Sequence, residues 1–198
     1  MGISAMPRID RASLMSLETY ARERTQFRAK VMAHKKDRSV ALGEHVTLLF
    51  EDELTIRYQV QEMLRVERIF EEQGIQEELE AYNPLVPDGR NLKATLMVEY
   101  PNPDERRRKL EELIGIEDKA WVQVKGHERV WAIADEDLDR ETEEKTSSVH
   151  FLRFDLSEDM ARALKKGASL AMGIDHPRYV ATVEVGPAVR DSLVKDLA

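Results

Sequence analysis

The sequence predicts an α+β fold in which a helical N-terminal half packs beside a mainly antiparallel sheet of five or six strands. Two long segments with helical apolar periodicity, residues 10–36 and 52–72, fill most of the first half of the chain. After the turn-rich loop at residues 82–89, short strand-like segments replace them. We therefore expect a helical part at residues 1–90 and a sheet part at residues 91–198, joined in one compact domain.

The first helix is predicted to begin near a capping residue, Asp10 or Ser13, and to end in the basic run His34–Arg38. Basic side chains suit that end because they interact favourably with the last unpaired carbonyl groups. Short strands are expected next, at residues 40–43 and 46–50, on either side of a glycine turn.

The segment 52–72 is predicted to be a helix that ends at Gly74. Apolar residues also alternate from Leu54 to Val60, which is compatible with a hairpin across residues 51–53. The helix is favoured because Met63–Phe70 continues without a helix-breaking residue.

The second half of the chain alternates strands with short helices. The hairpin 121–135 is expected to place Trp121 opposite Trp131. Strands are predicted at residues 93–100, 121–125, 129–135, 148–156, 170–174 and 179–185. Helices are predicted at residues 75–81, 103–113 and 157–166, and after Pro187.

Composition excludes several classes of protein. Hydrophobic residues make up 42% of the chain, enough for a core, and charged residues make up 34%. No apolar run approaches the ~20 residues that cross a bilayer, and the N-terminus lacks the apolar segment of a secretory signal. Cysteine is absent, which excludes disulfides and iron–sulfur ligation by this chain. These observations predict a cytoplasmic protein.

The charge is negative overall and unevenly distributed. A net charge of -8 argues against nucleic-acid binding, which requires a basic surface. Residues 8–38 contain nine basic and four acidic residues, residues 51–80 contain three and ten, and residues 135–145 contain two and seven. Two explanations stay open: the basic helix packs on the acidic one, or one of these faces binds another protein.

An arginine stripe on the segment 52–72 is the first candidate ligand site. Arg57, Arg65 and Arg68 lie close to one helical face, and on a largely buried helix they need acidic partners or a bound anion. They could present forked donors to a carboxylate or phosphate, or form an internal ion-pair network. The predicted ligand-binding residues are Arg57, Gln61, Arg65, Arg68, Tyr82 and Asn83.

A divalent metal is the cofactor that the histidines suggest. The chain has no Glu-x-x-His pair, so it is not itself a diiron carboxylate protein of the usual helical kind. Candidate ligands that folding could assemble are His34, His45, Glu51 and His150.

His150 is also the candidate catalytic residue. It alternates with Leu152 and Phe154 on one face of a predicted central strand, where an imidazole would be buried. Glu143 or Glu144, just before this strand, could provide a partner. A satisfied core histidine and a catalytic base are both compatible with this pattern.

Four blocks of sequence resemble an uncharacterised bacterial family, catalogued as domain of unknown function 3501. These blocks are HKKDRSVALG, RYQVQEMLRVERIFEEQGIQEELEAYNPLVPDG, LKATLMVEY and AIADEDLDRETEEKTSSVHFLRF. The resemblance extends from about residue 9 to residue 185. It implies association with rubrerythrin-like diiron proteins and cysteine-rich iron–sulfur oxidoreductases, and it transfers no catalytic residue to this chain.

Two functional hypotheses follow. The first is a cytoplasmic accessory or interaction protein that works with a diiron and iron–sulfur redox system. The second is a metal-dependent or anion-binding enzyme whose cleft is lined by the arginine stripe and His150. The sequence contains neither a phosphate-binding glycine loop nor a nucleophile elbow. A homo-oligomer is compatible with both hypotheses.

Overall fold

The computed structural model describes residues 8–198, so the first seven residues of the predicted helical part lie outside it. The protein is α+β, as predicted, with 42% helix and 26% strand. The helices are α1 (Leu17–Lys36), α2 (Glu53–Val66), α3 (Glu72–Tyr82), α4 (Pro103–Glu112), α5 (Glu158–Lys165) and α6 (Pro187–Val194). The strands are β1 (Ser39–Leu42), β2 (Val46–Glu51), β3 (Asn91–Val98), β4 (Ala120–Val124), β5 (Val130–Trp131), β6 (Ile133–Ala134), β7 (Val149–Asp155), β8 (Leu170–His176) and β9 (Tyr179–Glu184).

The strands form two antiparallel sheets rather than the single sheet that we expected. One sheet has the order β1-β2-β3-β7-β6, and the other has the order β5-β4-β8-β9. The predicted hairpin 121–135 divides at Ala132: β5 pairs with β4, whereas β6 pairs with β7. Trp121 faces Trp131 across the first pair, as predicted.

The main core lies between the two sheets, because apolar residues from both belong to one buried cluster. Phe50 and Phe154 are fully buried in it, with their ring centroids 6.3 Å apart. Tyr179 connects the sheets at one edge: its hydroxyl donates to the carbonyl of Leu42 and accepts from the backbone N–H of His45 at 3.2 Å. No helix in residues 8–198 is long and apolar enough to cross a membrane.

A smaller helical layer packs α1, α2 and α3 together. Its apolar contacts include Tyr20 and Phe27 of α1 with Tyr58 of α2. Glu62 of α2 accepts hydrogen bonds from Arg24 Nε at 2.7 Å and from the Tyr20 hydroxyl at 2.5 Å, both on α1. The basic helix thus packs against the acidic one.

Three predicted helix boundaries are wrong, and each has a local cause. The segment 10–16 begins with a 3₁₀ turn capped by Asp10, and the long helix starts only after a second cap at Ser16. Helix α2 ends at Val66 because Arg68 adopts the left-handed conformation, with φ of 54°, which ends the helix in a position usually taken by glycine. Gly74 is therefore inside α3 rather than at a helix end.

Gly173 of β8 provides a test of the sheet packing. A Cβ there would overlap the carbonyl oxygen of Ala181 and lie 2.5 Å from Cζ2 of the buried Trp121. We expect Gly173→Ala to lower the free energy of unfolding by about 2 kcal/mol, because neither the backbone nor the indole can move away easily. Urea denaturation measures this. Gly186→Ala is the control, since its Cβ would enter open space. If Gly173→Ala and Gly186→Ala have the same free energy of unfolding, the close packing of Gly173 against Ala181 and Trp121 is contradicted.

Candidate functional site

His150 lies on β7, between β3 and the short edge strand β6. The strand alternates in burial, so His150 points inward together with Leu152 and Phe154, as predicted from the sequence. Its side chain has no exposed surface. A fully buried imidazole needs a partner at both ring nitrogens, and the structure provides them.

Asp135 accepts the first hydrogen bond of His150, from Nδ1 to Oδ2 at 2.5 Å. Its other oxygen accepts the backbone N–H of Phe151 at 3.0 Å, which fixes the carboxylate in place. Asp135 adopts a φ of 50°, a costly conformation for a residue other than glycine and one found often at functional sites. The predicted partners Glu143 and Glu144 are exposed, so the expectation for them is wrong.

The second nitrogen of His150 faces three oxygens. Nε2 lies 2.9 Å from Thr146 Oγ1, 3.0 Å from the carbonyl oxygen of Ser147 and 3.8 Å from Glu117 Oε2. The Ser147 carbonyl can only accept, so it pairs with an Nε2 that carries a proton; in a neutral imidazole whose proton is on Nδ1, Nε2 instead presents a lone pair to this side. The Thr146 hydroxyl can donate to that lone pair, and a metal ion could replace this hydrogen bond.

Glu117 comes from the 3₁₀ turn Ile116–Lys119, which leads into β4. Its residue surface is only 6% exposed. Within residues 8–198 its Oε2 is buried without a hydrogen-bond partner. Burial raises the pKa of the Glu117 carboxyl above its ordinary value. A buried carboxylate oxygen of this kind is unfavourable unless a proton or a cation satisfies it.

Glu117 and His150 can hold a metal ion, and Asp135 lies beside them as the hydrogen-bond partner of His150. One ligand atom from each lies within 4.8 Å of the other two. A mixed nitrogen and oxygen set suits divalent ions such as Zn²⁺, Mn²⁺ or Fe²⁺. Asp135 already takes the position that an outer carboxylate has on a metal-bound histidine, where it orients the ring and raises its basicity.

The other three predicted metal ligands lie in separate environments. His34 Nε2 is 2.6 Å from Asp52 Oδ2, and the His45 ring stacks on Tyr100 at 4.0 Å. Glu51 is buried and accepts hydrogen bonds from the hydroxyls of two threonines, Thr55 and Thr95. Of the four candidates, His150 alone belongs to a group of three potential ligands in the part of the chain that the structure describes.

The arginine stripe is more exposed than we expected. Arg65 and Arg68 are exposed, because α2 ends at Val66 and its last turn faces solvent. Arg65 Nη2 lies 3.4 Å from Glu62 Oε2. Arg57 is half-buried; its Nε lies 2.8 Å from Glu53 Oε1, although the N–H is not directed at that oxygen. The contact is therefore an ion pair rather than a hydrogen bond.

Two further predicted ligand residues fix the segment before α1. Gln61 is buried and accepts the backbone N–H of Met15 at 2.7 Å. Asn83 binds the backbone N–H and carbonyl of Ile9, at 3.0 and 2.8 Å. Tyr82 is half-buried and packs against the apolar cluster that Ile9 forms with residues of α2 and α3. Ligand binding by these residues stays a prediction.

Sequence reasoning identified His150 but missed Asp135 and Glu117. A weak signal existed for Glu117, an acid that directly follows the apolar segment Leu113–Ile116 and comes shortly before a strand. Asp135 follows directly on β6, and its role depends on the pairing of β6 with β7. The sequence pattern assigned residues 121–135 to one hairpin, so it did not indicate that β6 separates from β4 and pairs with β7.

Comparison with known proteins identifies a family and a closely similar crystal structure. The sequence profile of the family described as Protein of unknown function (DUF3501) matches residues 8–197. A crystal structure of a novel protein of unknown function from Burkholderia pseudomallei K96243, at 1.90 Å resolution, has 55% sequence identity and a TM-score of 0.93. The match covers 97% of this chain and 100% of that chain. No curated protein matches the sequence.

Proposed function

We propose that this chain, which belongs to the family described as Protein of unknown function (DUF3501), binds a divalent metal ion between Glu117 and His150 and uses it in a metal-dependent reaction. The observation that carries the proposal is the buried, unpartnered Oε2 of Glu117, 3.8 Å from His150 Nε2, in the described residues 8–198. A metal ion between these two atoms would satisfy the oxygen and use the Nε2 lone pair.

The surrounding residues support a metal centre better than a purely structural histidine. A structural role accounts for Asp135 and the oxygens of Thr146 and Ser147, but within residues 8–198 it leaves Glu117, the second acid beside the ring, without a hydrogen-bond partner. The Ser147 carbonyl oxygen, 3.0 Å from Nε2, is placed to become a further ligand. The left-handed backbone conformation of Asp135 also supports a functional site here, because such conformations are found often at functional sites.

The chemistry that such an ion supplies is Lewis-acid activation of a bound water or of a substrate oxygen. The protein residues would fix its position: His150 is held by Asp135, and Asp135 is held by the Phe151 backbone. Glu117 contributes negative charge from a site with little water, where the attraction to a cation is strong.

Metal binding to protein purified without a histidine tag tests the proposal. We expect a stoichiometric amount of Zn²⁺, Mn²⁺ or Fe²⁺ after loading and dialysis, measured by elemental analysis. Glu117→Gln should weaken the affinity, measured by calorimetry, by about a hundredfold, because it removes a charged ligand while keeping the shape.

The control is Glu143→Gln, which removes one exposed acid from the acidic segment 135–145. Its affinity should equal that of the unchanged protein. If the unchanged protein retains none of these metals, the metal centre is wrong. Equal affinity of Glu117→Gln and the control would also contradict it.

We also propose, on the family resemblance, an association with rubrerythrin-like diiron and iron–sulfur proteins. The observation that favours it is an exposed apolar corner between α2 and α3, where Val66 is 61% and Phe70 is 72% exposed. Purified candidate partners should form a complex with this chain, and Phe70→Glu should weaken that complex. The absence of any complex in size-exclusion chromatography would count against this role.

A further inference from the structure

Strand β9 (Tyr179–Glu184) is an unpaired edge of the second sheet. Within residues 8–198 it pairs only with β8, and it is the longest edge strand, since β1 has four residues and β5 and β6 have two each. Natural proteins usually protect such an edge with proline, lysine, a bulge or a covering segment. The strand sequence YVATVE contains neither proline nor lysine, and its register with β8 is continuous. The edge is therefore open to pairing with another strand.

The hydrogen bonds between β8 and β9 show which backbone groups of β9 point away from the sheet. The Val185 N–H donates to the carbonyl of Leu170 at 2.8 Å, one step beyond the last pair of the two strands. Hydrogen-bonded and non-bonded pairs alternate along an antiparallel ladder, so every second residue before Val185 directs its N–H and carbonyl towards β8. The groups that point outward, where a second strand can bind them, belong to Val180, Thr182 and Glu184.

The apolar side chains of β9 are more exposed than those of β8. On the core side Tyr179, Ala181 and Val183 are only half-buried, although the core-facing side chains of β8 are buried. On the solvent side Val180 is 73% exposed, more than any other large apolar side chain in the described residues. A further strand beside β9 would therefore cover apolar surface on both sides of the sheet.

Two charges of opposite sign lie at the two ends of β9. Arg178 precedes the strand and Glu184 ends it, and both are exposed. In the part of the chain that the structure describes, neither lies at ion-pair distance from an opposite charge. When two identical strands pair antiparallel, the first end of one meets the last end of the other. The strand is thus complementary in charge to a second copy of itself, which favours a second copy over a strand of a different protein.

We propose that β9 pairs antiparallel with β9 of a second copy of this chain, around a two-fold axis at Ala181. In this register Val180 lies opposite Thr182 of the partner subunit, and the two residues exchange about four backbone hydrogen bonds across the whole pair. The side chains at the axis lie close together, and alanine is small enough for that position. The two four-stranded sheets then form one continuous sheet through the dimer.

The terminal charges select this register. With the axis at Ala181, Glu184 lies opposite Arg178 of the partner subunit, so both ends of the paired strands form an ion pair. With the axis at Thr182, Glu184 would lie opposite Val180 of the partner subunit, and Arg178 would have no opposite charge. We therefore expect the first register, in which apolar and charged side chains each meet a suitable partner.

Sedimentation over a concentration series measures the dimer. We expect a reversible dimer, because the interface is small. Thr182→Pro removes an N–H that points outward, and proline is tolerated on the open side of an edge strand. The variant should therefore keep its fold, checked by urea denaturation, while its dimer weakens at least about tenfold.

Exchange of the terminal charges tests the register. Glu184→Arg places like charges at both ends of the paired strands and should weaken the dimer about tenfold. Arg178→Glu/Glu184→Arg makes the charges opposite again and should dimerise within about threefold of the unchanged protein. The matched control is Glu128→Arg, the same charge change in the turn between β4 and β5 at the other edge of the sheet. Its dimer should differ by less than about twofold.

Amide hydrogen exchange, followed by NMR, locates the interface. Exchange at Val180 and Thr182 should slow as the protein concentration rises, because these N–H groups become paired in the dimer. Ala181, whose N–H points towards β8, should exchange slowly at every concentration and is the internal control.

Three results would overturn the proposal. The first is a protein that stays monomeric up to about 0.5 mM, which would leave β9 free for a strand of a different protein. The second is a dimer that a folded Thr182→Pro variant leaves unchanged. The third is a double variant that dimerises no better than Glu184→Arg, because the register is then wrong. If Thr182→Pro does not fold, the charge exchange decides alone.

Discussion

Replacing Arg38 with methionine is expected to lower the free energy of unfolding by about 3–5 kcal/mol, the usual cost of breaking a buried ion pair. Arg38 is only 1% exposed and connects three elements. Its Nε donates to the carbonyl of Phe50 at 2.7 Å, and its Nη2 donates to Asp196 at 2.5 Å. Its Nη1 lies 3.3 Å from the Ser192 carbonyl on α6. Without the guanidinium, Asp196 would be buried with an unpaired charge.

The loss should depend on pH. Burial already raises the pKa of Asp196 to about 6, although Arg38 opposes this rise. A carboxyl whose folded pKa is raised is most favourable when protonated, so its stabilising contribution is present at low pH and disappears as the pH rises through the folded pKa. Removing Arg38 raises that pKa further. The deficit of Arg38→Met should therefore be larger at about pH 8 than at about pH 5.

Urea denaturation at both pH values measures the effect. Arg28→Met, at an exposed position on α1, the helix that precedes Arg38, is the control and should change stability by less than about 0.5 kcal/mol. A deficit of Arg38→Met no larger than that of the control, at either pH, would show that the buried pair does not stabilise the fold.

Replacing Glu62 with glutamine is expected to cost about 2–3 kcal/mol at neutral pH. Hydrogen bonds from Arg24 hold the pKa of Glu62 at about 2, and the Tyr20 hydroxyl also lowers it, while burial opposes them. Because the folded pKa is lowered, the stabilisation is present above the ordinary pKa of 4.5. It is lost as the pH falls towards 2.

A series of unfolding measurements from neutral to acidic pH tests this prediction. The unchanged protein and Glu62→Gln should differ most at neutral pH and converge towards pH 2. Glu23→Gln, at an exposed position on α1, should follow the unchanged protein throughout. A constant difference at every pH would mean that the substitution acts through packing and not through the charge of Glu62.

Most elements of the fold could be predicted because their signals are local. Asp52 and Ser157 cap the helices that follow them, and strand alternation located β3 and β7 within about two residues. The end of α2 could not be predicted in this way. The helix ends where Arg68 adopts the left-handed conformation, and the sequence has no glycine at that position to indicate a helix end.

The candidate site was predictable only in part, because it depends on contacts between distant elements. The pattern of β7 was sufficient to predict that His150 is buried. Its partners belong to the end of β6 and to a 3₁₀ turn before β4, and the division of the strands into two sheets determines where these lie. In a chain with 38 acidic residues, no single acid stands out before the fold is known.

The left-handed backbone at Asp135 makes asparagine an unusually informative replacement there. Among residues with a side chain, aspartate and asparagine tolerate this conformation best, so Asp135→Asn should preserve the main-chain course. Other uncharged residues with a side chain tolerate this conformation less well, so they would strain the backbone as well as remove the charge. The substitution Asp135→Asn therefore tests the effect of the negative charge at residue 135 while the backbone and the shape of the side chain are kept.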